Sequence, residues 1–337
     1  MEVTSIWKYA LGEILLGQRG ITKISHLWLP LATVLLSGSV SDLEAGFYGS
    51  IGLFFVVLFK VMFSIQVNDL CDRREDKAVG KERWISHLPL PLGVFITTAL
   101  AAAGFTIIIF ASGSIPVALS YTASILLGLF YSLPPGRFKE RGIWGLIVYA
   151  LAATTIYVLV PWVWFESSLL VLGLLFLTVF LDKWVQVHFH QVVDYQADLK
   201  NRTQTYAVKV GLARTRKTLR MASLFASFSM GCLLVYIIFF VMPSTFQKIA
   251  ILGFGTAIIA GSGLYVRTAK KKAARISDLA RELPWMYLGL TYFVFGVFPP
   301  VGFLLLAFKE PLLGIPAALS ALSLLGLSWH SIRYKYT

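Results

Sequence analysis

The sequence predicts an all-α fold, a polytopic bundle of about nine to ten membrane-spanning helices forming one domain over residues 1–337. Three observations carry that prediction. Hydrophobic residues make up 57% of the chain and charged residues only 14%, whereas a soluble domain is about half apolar and a quarter charged. The apolar residues fall in runs long enough to cross a bilayer, which takes about 20 residues of helix. All but four of the 30 Lys and Arg lie in, or at the edge of, segments that alternate counting of those runs assigns to a single face.

Taken in order, the chain opens with a segment in which Lys8, Glu13 and Arg19 interrupt the apolar pattern, unlike the continuous core of a cleaved signal peptide. Ten candidate spans follow: 26–41, 45–68, 88–111, 114–132, 143–164, 168–193, 217–242, 246–267, 285–308 and 311–332. Short links such as Ser112-Gly113-Ser114, Pro243-Ser244 and Lys309-Glu310-Pro311 read as hairpin turns at one membrane face. Ten spans place both termini on one side. The basic segments are the two termini and the connections near 69–87, 133–142, 194–216 and 268–284; Lys248 and Lys309 sit opposite, and Lys60 and Lys183 fall inside spans. The positive-inside rule makes the basic face cytoplasmic. The net charge of +13 is therefore read as topology and anion binding, not as a nucleic-acid footprint. Cys71 and Cys232 provide neither a disulfide framework nor metal-ligand spacing.

The acids are more informative. Of 17 Asp and Glu, six crowd into two stretches on the basic face: Asp69, Asp72, Glu75 and Asp76, then Asp194 and Asp198. Lys60, Ser64, Asn68, Asp72 and Asp76 recur every four residues, which stacks them on one helix face, with Asp69 one position round. Lys183, His190, Asp194 and Asp198 form a similar stripe, with Asp182, Gln186 and Gln191 nearby. Carboxylates gathered in a site of low dielectric repel unless cations neutralise them. Mg²⁺ suits carboxylate and amide oxygens and commonly bridges to substrate phosphates, which makes a diphosphate the natural second partner. Cations able to grip its oxygens stand on the same face: Lys81 and Arg83, then Arg137, Lys139 and Arg141, then Lys200 and Arg202.

These stretches also carry a family resemblance. Asn68-Asp69-Leu70-Cys71-Asp72-Arg73-Arg74-Glu75-Asp76 resembles the NDxxDxxxD motif of the UbiA-type intramembrane prenyltransferases. Asp194-Tyr195-Gln196-Ala197-Asp198, followed by Thr205, Ala207, Val208 and Gly211, is similar to the family's DxxxD motif and its downstream tail. Between them Tyr131-Ser132-Leu133-Pro134-Pro135-Gly136-Arg137-Phe138-Lys139 resembles the YSxPPxxxK segment. The likeness covers about residues 19–308. It implies a bundle, usually of nine spans, around a cavity open sideways to lipid, with two Mg²⁺ ions holding the diphosphate of an isoprenyl donor. By position, Asn68, Asp72, Asp76, Asp194 and Asp198 become metal or diphosphate ligands with Asp69 in support. Arg83, Tyr131, Arg137, Lys139 and Lys200 become donor-binding residues. The chain departs from the pattern in three places. Gly80-Lys81-Glu82-Arg83-Trp84 lacks the family's prolines, Arg202 stands where many members have Gly, and the span 311–332 exceeds the usual count.

The implied reaction is Mg²⁺-dependent transfer of an isoprenyl chain to a hydrophobic acceptor, most often an aromatic ring in quinone, haem or chlorophyll-type pathways, through an allylic carbocation. Trp144, Tyr149, Tyr157, Trp184 and Phe189 are candidate wall aromatics for the cation. His188 and His190 precede the second acidic stretch, and His190, on the face of Asp194, is the candidate catalytic base. Lys60 and Lys183 are functional candidates because an intramembrane Lys is costly, although a structural ion pair with an acid such as Asp182 explains them equally. The competing reading is an ion-coupled secondary transporter, which predicts acids near mid-membrane on broken helices and an inverted repeat.

Overall fold

In the computed structural model, residues 25–322 are described apart from 39, 41, 79, 81, 82, 243 and 272–281. The described chain is helical throughout, as the hydropathy pattern requires: backbone groups at membrane depth must be satisfied within their own segment. Seven helices are long and apolar enough to cross a bilayer: α2 (Leu43–Cys71), α3 (Leu90–Ser112), α4 (Ile115–Ser132), α5 (Ile143–Phe165), α6 (Leu169–Val193), α7 (Leu212–Val241) and α9 (Trp285–Ala307). One predicted span comes out shorter: α1 (Ser25–Leu36) has 12 residues. Within α8 (Thr245–Lys271) the described apolar stretch is Gln247–Gly261, and α10 is described over Pro311–Leu322, the rest of the predicted span 311–332 lying outside the described residues. The predicted count of nine to ten thus becomes seven full-length candidates and three shorter apolar helices among the described residues.

Local chemistry sets the boundaries. Asp42 caps α2 by accepting from the Glu44 and Ala45 amides, and Ser168 caps α6 by accepting from Val171 N. Gly113, at φ 61°, makes the left-handed turn that folds α4 back against α3. Neighbouring helices pack in sequence, α2 on α3, α4 on α5, α5 on α6, α6 on α7 and α8 on α9, and α9 returns to α1. α1 touches α2, α5, α6 and α9, and every residue from Ser25 to Leu35 is buried.

At the foot of α1 a polar cluster joins three helices. Asp182 of α6 lies 2.9 Å from His26 Nε2, accepts from Gln186 Nε2 at 2.7 Å and accepts from Tyr287 OH of α9 at 2.7 Å. Lys183 donates to Gln186 Oε1 at 3.1 Å and lies 5.0 Å from the centre of the Tyr157 ring. Two π-helical segments, Thr155–Leu159 and Tyr292–Val297, bring Tyr157 and Phe295 against His26. Asp182 thus contacts His26 directly, while the Lys183 ammonium, one residue along, acts on it through charge.

Because one carboxylate serves three partners, Asp182→Ala is expected to lower unfolding free energy in detergent by about 2 kcal/mol, and Tyr287→Phe by about 0.6 kcal/mol. A denaturant titration followed by intrinsic fluorescence checks both values.

Candidate active site

Both acidic stretches are built the same way. α2 ends at Asp72, with φ −95° and ψ 8°, and a six-residue helix, Arg73–Ala78, follows at once. α6 ends at Asp194, with φ −82° and ψ 1°, and is followed by Tyr195–Lys200, also six residues. These dihedrals lie in the sparsely populated bridge region where many active-site residues sit. Hydrogen bonds carry across each break, from Asp76 N to Asp72 O at 2.8 Å and from Asp198 N to Asp194 O at 2.9 Å. The i, i+4 stacking of the carboxylates therefore survives the bend.

The two breaks face one cavity of about 260 Å³. Asn68, Asp72, Glu75, Asp76, Arg83, Tyr131, Arg137 and Lys139 line one side. His190, Gln191, Asp194, Ala197, Asp198, Asn201, Thr203 and Thr205 line the other, with Val187 deeper. Of the acids and cations singled out in the sequence on this face, Asp69, Arg141, Lys200 and Arg202 are absent from the wall: Asp69 is buried beside it, and the three cations are exposed. The helical register explains Asp69, which is one position, or about 100°, round from Asn68. Lys81 lies outside the described residues.

Basic side chains answer the first acidic wall. Lys139 pairs with Asp72 and reaches Asn68 Oδ1 at 3.4 Å. Arg137 lies 3.5 Å from Asp72 and 2.9 Å from Glu75, and Arg83 Nε donates to Asp76 at 3.2 Å. Burial pushes the Glu75 carboxyl upward, but its own backbone hydrogen bond and the Arg137 guanidinium outweigh that and hold it below the usual carboxylate range. Arg137 occupies a left-handed backbone conformation at φ 36°, a cost of about 1 kcal/mol that its ion pairs with Asp72, Glu75 and Glu140 offset.

On the second wall Thr205 caps the next helix through Val208 N and donates its hydroxyl to Asp198 Oδ2 at 3.0 Å. Gln191 accepts from Ala207 N at 3.3 Å, tying the downstream segment to α6. A backbone bridge between Gly142 and Thr205 joins this segment to the connection that carries Arg137 and Lys139. Thr205 was legible as part of the motif tail, but its contact with Asp198 was not. Thr203 and Asn201 gave no sequence signal.

Of the two histidines, His190 lines the cavity, whereas His188 is packed against Tyr206 and bonded to Thr218 of α7 at 3.1 Å. Tyr149 stacks obliquely on Tyr131, with centroids 5.7 Å apart, and Tyr157 lies beneath Lys183. Trp144 is 56% exposed and Trp184 packs on Phe180, so neither lines the cavity.

The donor set, carboxylate and amide oxygens with no thiol, suits a hard cation such as Mg²⁺. No three described His, Cys, Asp or Glu side chains converge as a ready cage.

Comparison with known proteins accords with this arrangement. The model of the UbiA prenyltransferase family matches residues 26–281. A UbiA homologue from Archaeoglobus fulgidus, solved bound to GPP and Mg²⁺, superposes with a TM-score of 0.53 at 18% identity, covering 85% of this chain and 99% of that one. The same homologue bound to DMAPP and Mg²⁺ gives 0.51 at 15% identity, covering 93% and 98%. A digeranylgeranylglyceryl phosphate synthase gives 0.54 at 15% identity, covering 98% and 97%. No curated protein sequence matches the chain.

Arg202, exposed and at φ 56°, occupies a backbone position that glycine adopts without strain. Arg202→Gly is expected to stabilise the protein by about 1 kcal/mol in a detergent unfolding titration.

Proposed function

The chain belongs to the UbiA prenyltransferase family, and from that premise we propose that it transfers an isoprenyl chain from a prenyl diphosphate to a hydrophobic acceptor, most simply an aromatic ring. The observation that carries the reading is the convergence of Asn68, Asp72, Asp76, Asp194 and Asp198 with Arg83, Arg137 and Lys139 on one cavity. The homologues solved with GPP or DMAPP and Mg²⁺ support the same donor and ion here.

In this reading the five oxygen-bearing side chains hold Mg²⁺, two ions fitting carboxylates on both walls. When bound, Mg²⁺ supplies charge neutralisation to the departing diphosphate. Arg83, Arg137 and Lys139, which pair with the carboxylates in the structure, turn to the phosphate oxygens with charge-assisted hydrogen bonds. Asp69 supports the first motif from behind the wall, and Lys200 serves from outside it by its charge alone.

The allylic C–O bond then breaks, its electron pair leaving with the diphosphate oxygen. Tyr131, Tyr149 and Val187 exclude water around the resulting cation, and the tyrosine rings stabilise it by cation–π contact. An acceptor carbon forms the new bond, and His190 takes the displaced proton. The basic residues gathered at this end of the bundle support a cytoplasmic mouth. The cavity acids sit at helix ends rather than mid-span, which favours group transfer over ion-coupled transport.

Purified protein with Mg²⁺ and a long-chain prenyl diphosphate is expected to release diphosphate when given lipophilic acceptors extracted from its host membrane. Asp72→Ala and Asp194→Ala are each expected to reduce that release at least about 100-fold. Full activity in either variant would remove the assigned site.

A further inference from the structure

Glu75 lines the cavity, yet it falls at a position of the NDxxDxxxD pattern that calls for no particular residue. It stands three residues past Asp72, and so on the same helix face. Both acids meet one cation: Arg137 Nη2 donates to Glu75 Oε1 at 2.9 Å and lies 3.5 Å from Asp72 Oδ1. Asp72 has Lys139 besides, whereas Arg137 is the cation paired with Glu75 among the described residues. The Glu75 side chain is 39% exposed against 19% for Asp72, which places it at the rim. An ion pair that wet is weak enough to form and break in each turnover.

Arg137 is held on a second edge from outside the cavity. Its Nε donates to Glu140 Oε1, and Glu140 is not part of the cavity wall. The backbone is fixed on both sides: Arg137 N donates to Leu133 O at 2.7 Å, and Arg137 O accepts from Glu140 N at 3.0 Å. A change of partner at Nη2 is therefore a swing of the side chain about the Glu140 contact. Lys139 and Arg83 are placed differently, since each meets a motif acid, Asp72 or Asp76. A phosphate oxygen and the Glu75 carboxylate compete for the same guanidinium fork.

On the premise of the transfer reaction outlined above, we propose that Glu75 competes with the diphosphate for Arg137, with Glu140 as the pivot. Donor binding moves Nη2 from Glu75 to a phosphate oxygen. After the allylic bond has broken, return of Nη2 to Glu75 frees the inorganic diphosphate. The product keeps every phosphate oxygen of the donor, so a site without a competitor would grip the two alike and release the product slowly. Glu75 is thus a positioning residue that acts through Arg137 and sets how firmly diphosphate is held; it is not a metal ligand.

The test titrates inorganic diphosphate with Mg²⁺ into the full chain in detergent by calorimetry. Wild type is expected to bind. Glu75→Gln and Glu75→Ala should each bind at least about fivefold more tightly, and Glu75→Asp should stay near wild type. Glu140→Gln, which removes the same charge from the other edge of Arg137, should bring no such gain. In an Arg137→Met background the gain from Glu75→Gln should fall below about twofold, as a double-mutant cycle requires of an effect carried by that pair. The affinity for Mn²⁺ alone, read by electron paramagnetic resonance, should be unchanged in Glu75→Gln. Weaker or unchanged diphosphate binding in the Glu75 variants, a gain that survives in the Arg137→Met background, an equal gain from Glu140→Gln, or lost Mn²⁺ affinity would each overturn the proposal. Failure of wild type to bind diphosphate with Mg²⁺ at all would instead overturn the transfer reaction, and the role of Glu75 with it.

Discussion

Carboxylates at the edge of a membrane core persist only where cations or hydrogen-bond donors answer them, and the bundle is arranged around that requirement. At the mouth, the connection after α4 delivers Arg137 and Lys139 to Asp72 and Glu75, and Arg83 turns back to Asp76. Deep in the bundle, α1 and α9 deliver His26 and Tyr287 to Asp182. Each acid thereby dictates which segments must meet. The pairing at the mouth is the exchangeable one, because its groups lie beside a cavity where phosphate oxygens can replace carboxylates. The pairing at depth is enclosed on every side and holds the helices.

The likeness between the two acidic stretches follows from geometry. A helix that ran straight on past Asp72 or Asp194 would leave the membrane and take its carboxylates away from the partner wall. Breaking in the bridge region and restarting for six residues keeps i, i+4 stacking while changing direction. The backbone bridge between Gly142 and Thr205 then links the connection bearing the cations to the segment that positions Asp198. The walls are coupled through the main chain.

Much of this was legible in the sequence because its signals are local. Apolar runs gave the order of the long helices, and four-residue recurrence gave the stripes of α2 and α6. What escaped depends on tertiary contact. The 26–41 run became a 12-residue helix with Pro30 inside it, buried among α2, α5, α6 and α9. His188 and His190 are two residues apart, and only the packing of α7 against α6 decides that one bonds Thr218 while the other faces the cavity. Lys200 and Thr205 make the same point. The long cation next to the motif lies outside the wall, and the small hydroxyl five residues later completes it, because a helix end and a cap fix their directions.

The enclosed cluster and the open mouth are joined by α6. Asp182, Gln186, His190, Asp194 and Asp198 are spaced by four, so they form one slowly turning stripe from the core to the cavity. Rotating or sliding α6 by one residue would turn this face by about 100°, withdrawing Asp182 from His26 and Tyr287 and Asp194 from the cavity together. The register that satisfies the deep acid is therefore the register that presents the shallow ones. An acid whose contacts are wholly structural thus sets the aim of the reactive wall without touching anything bound there. For that reason charge compensation at depth and geometry at the mouth are one constraint rather than two.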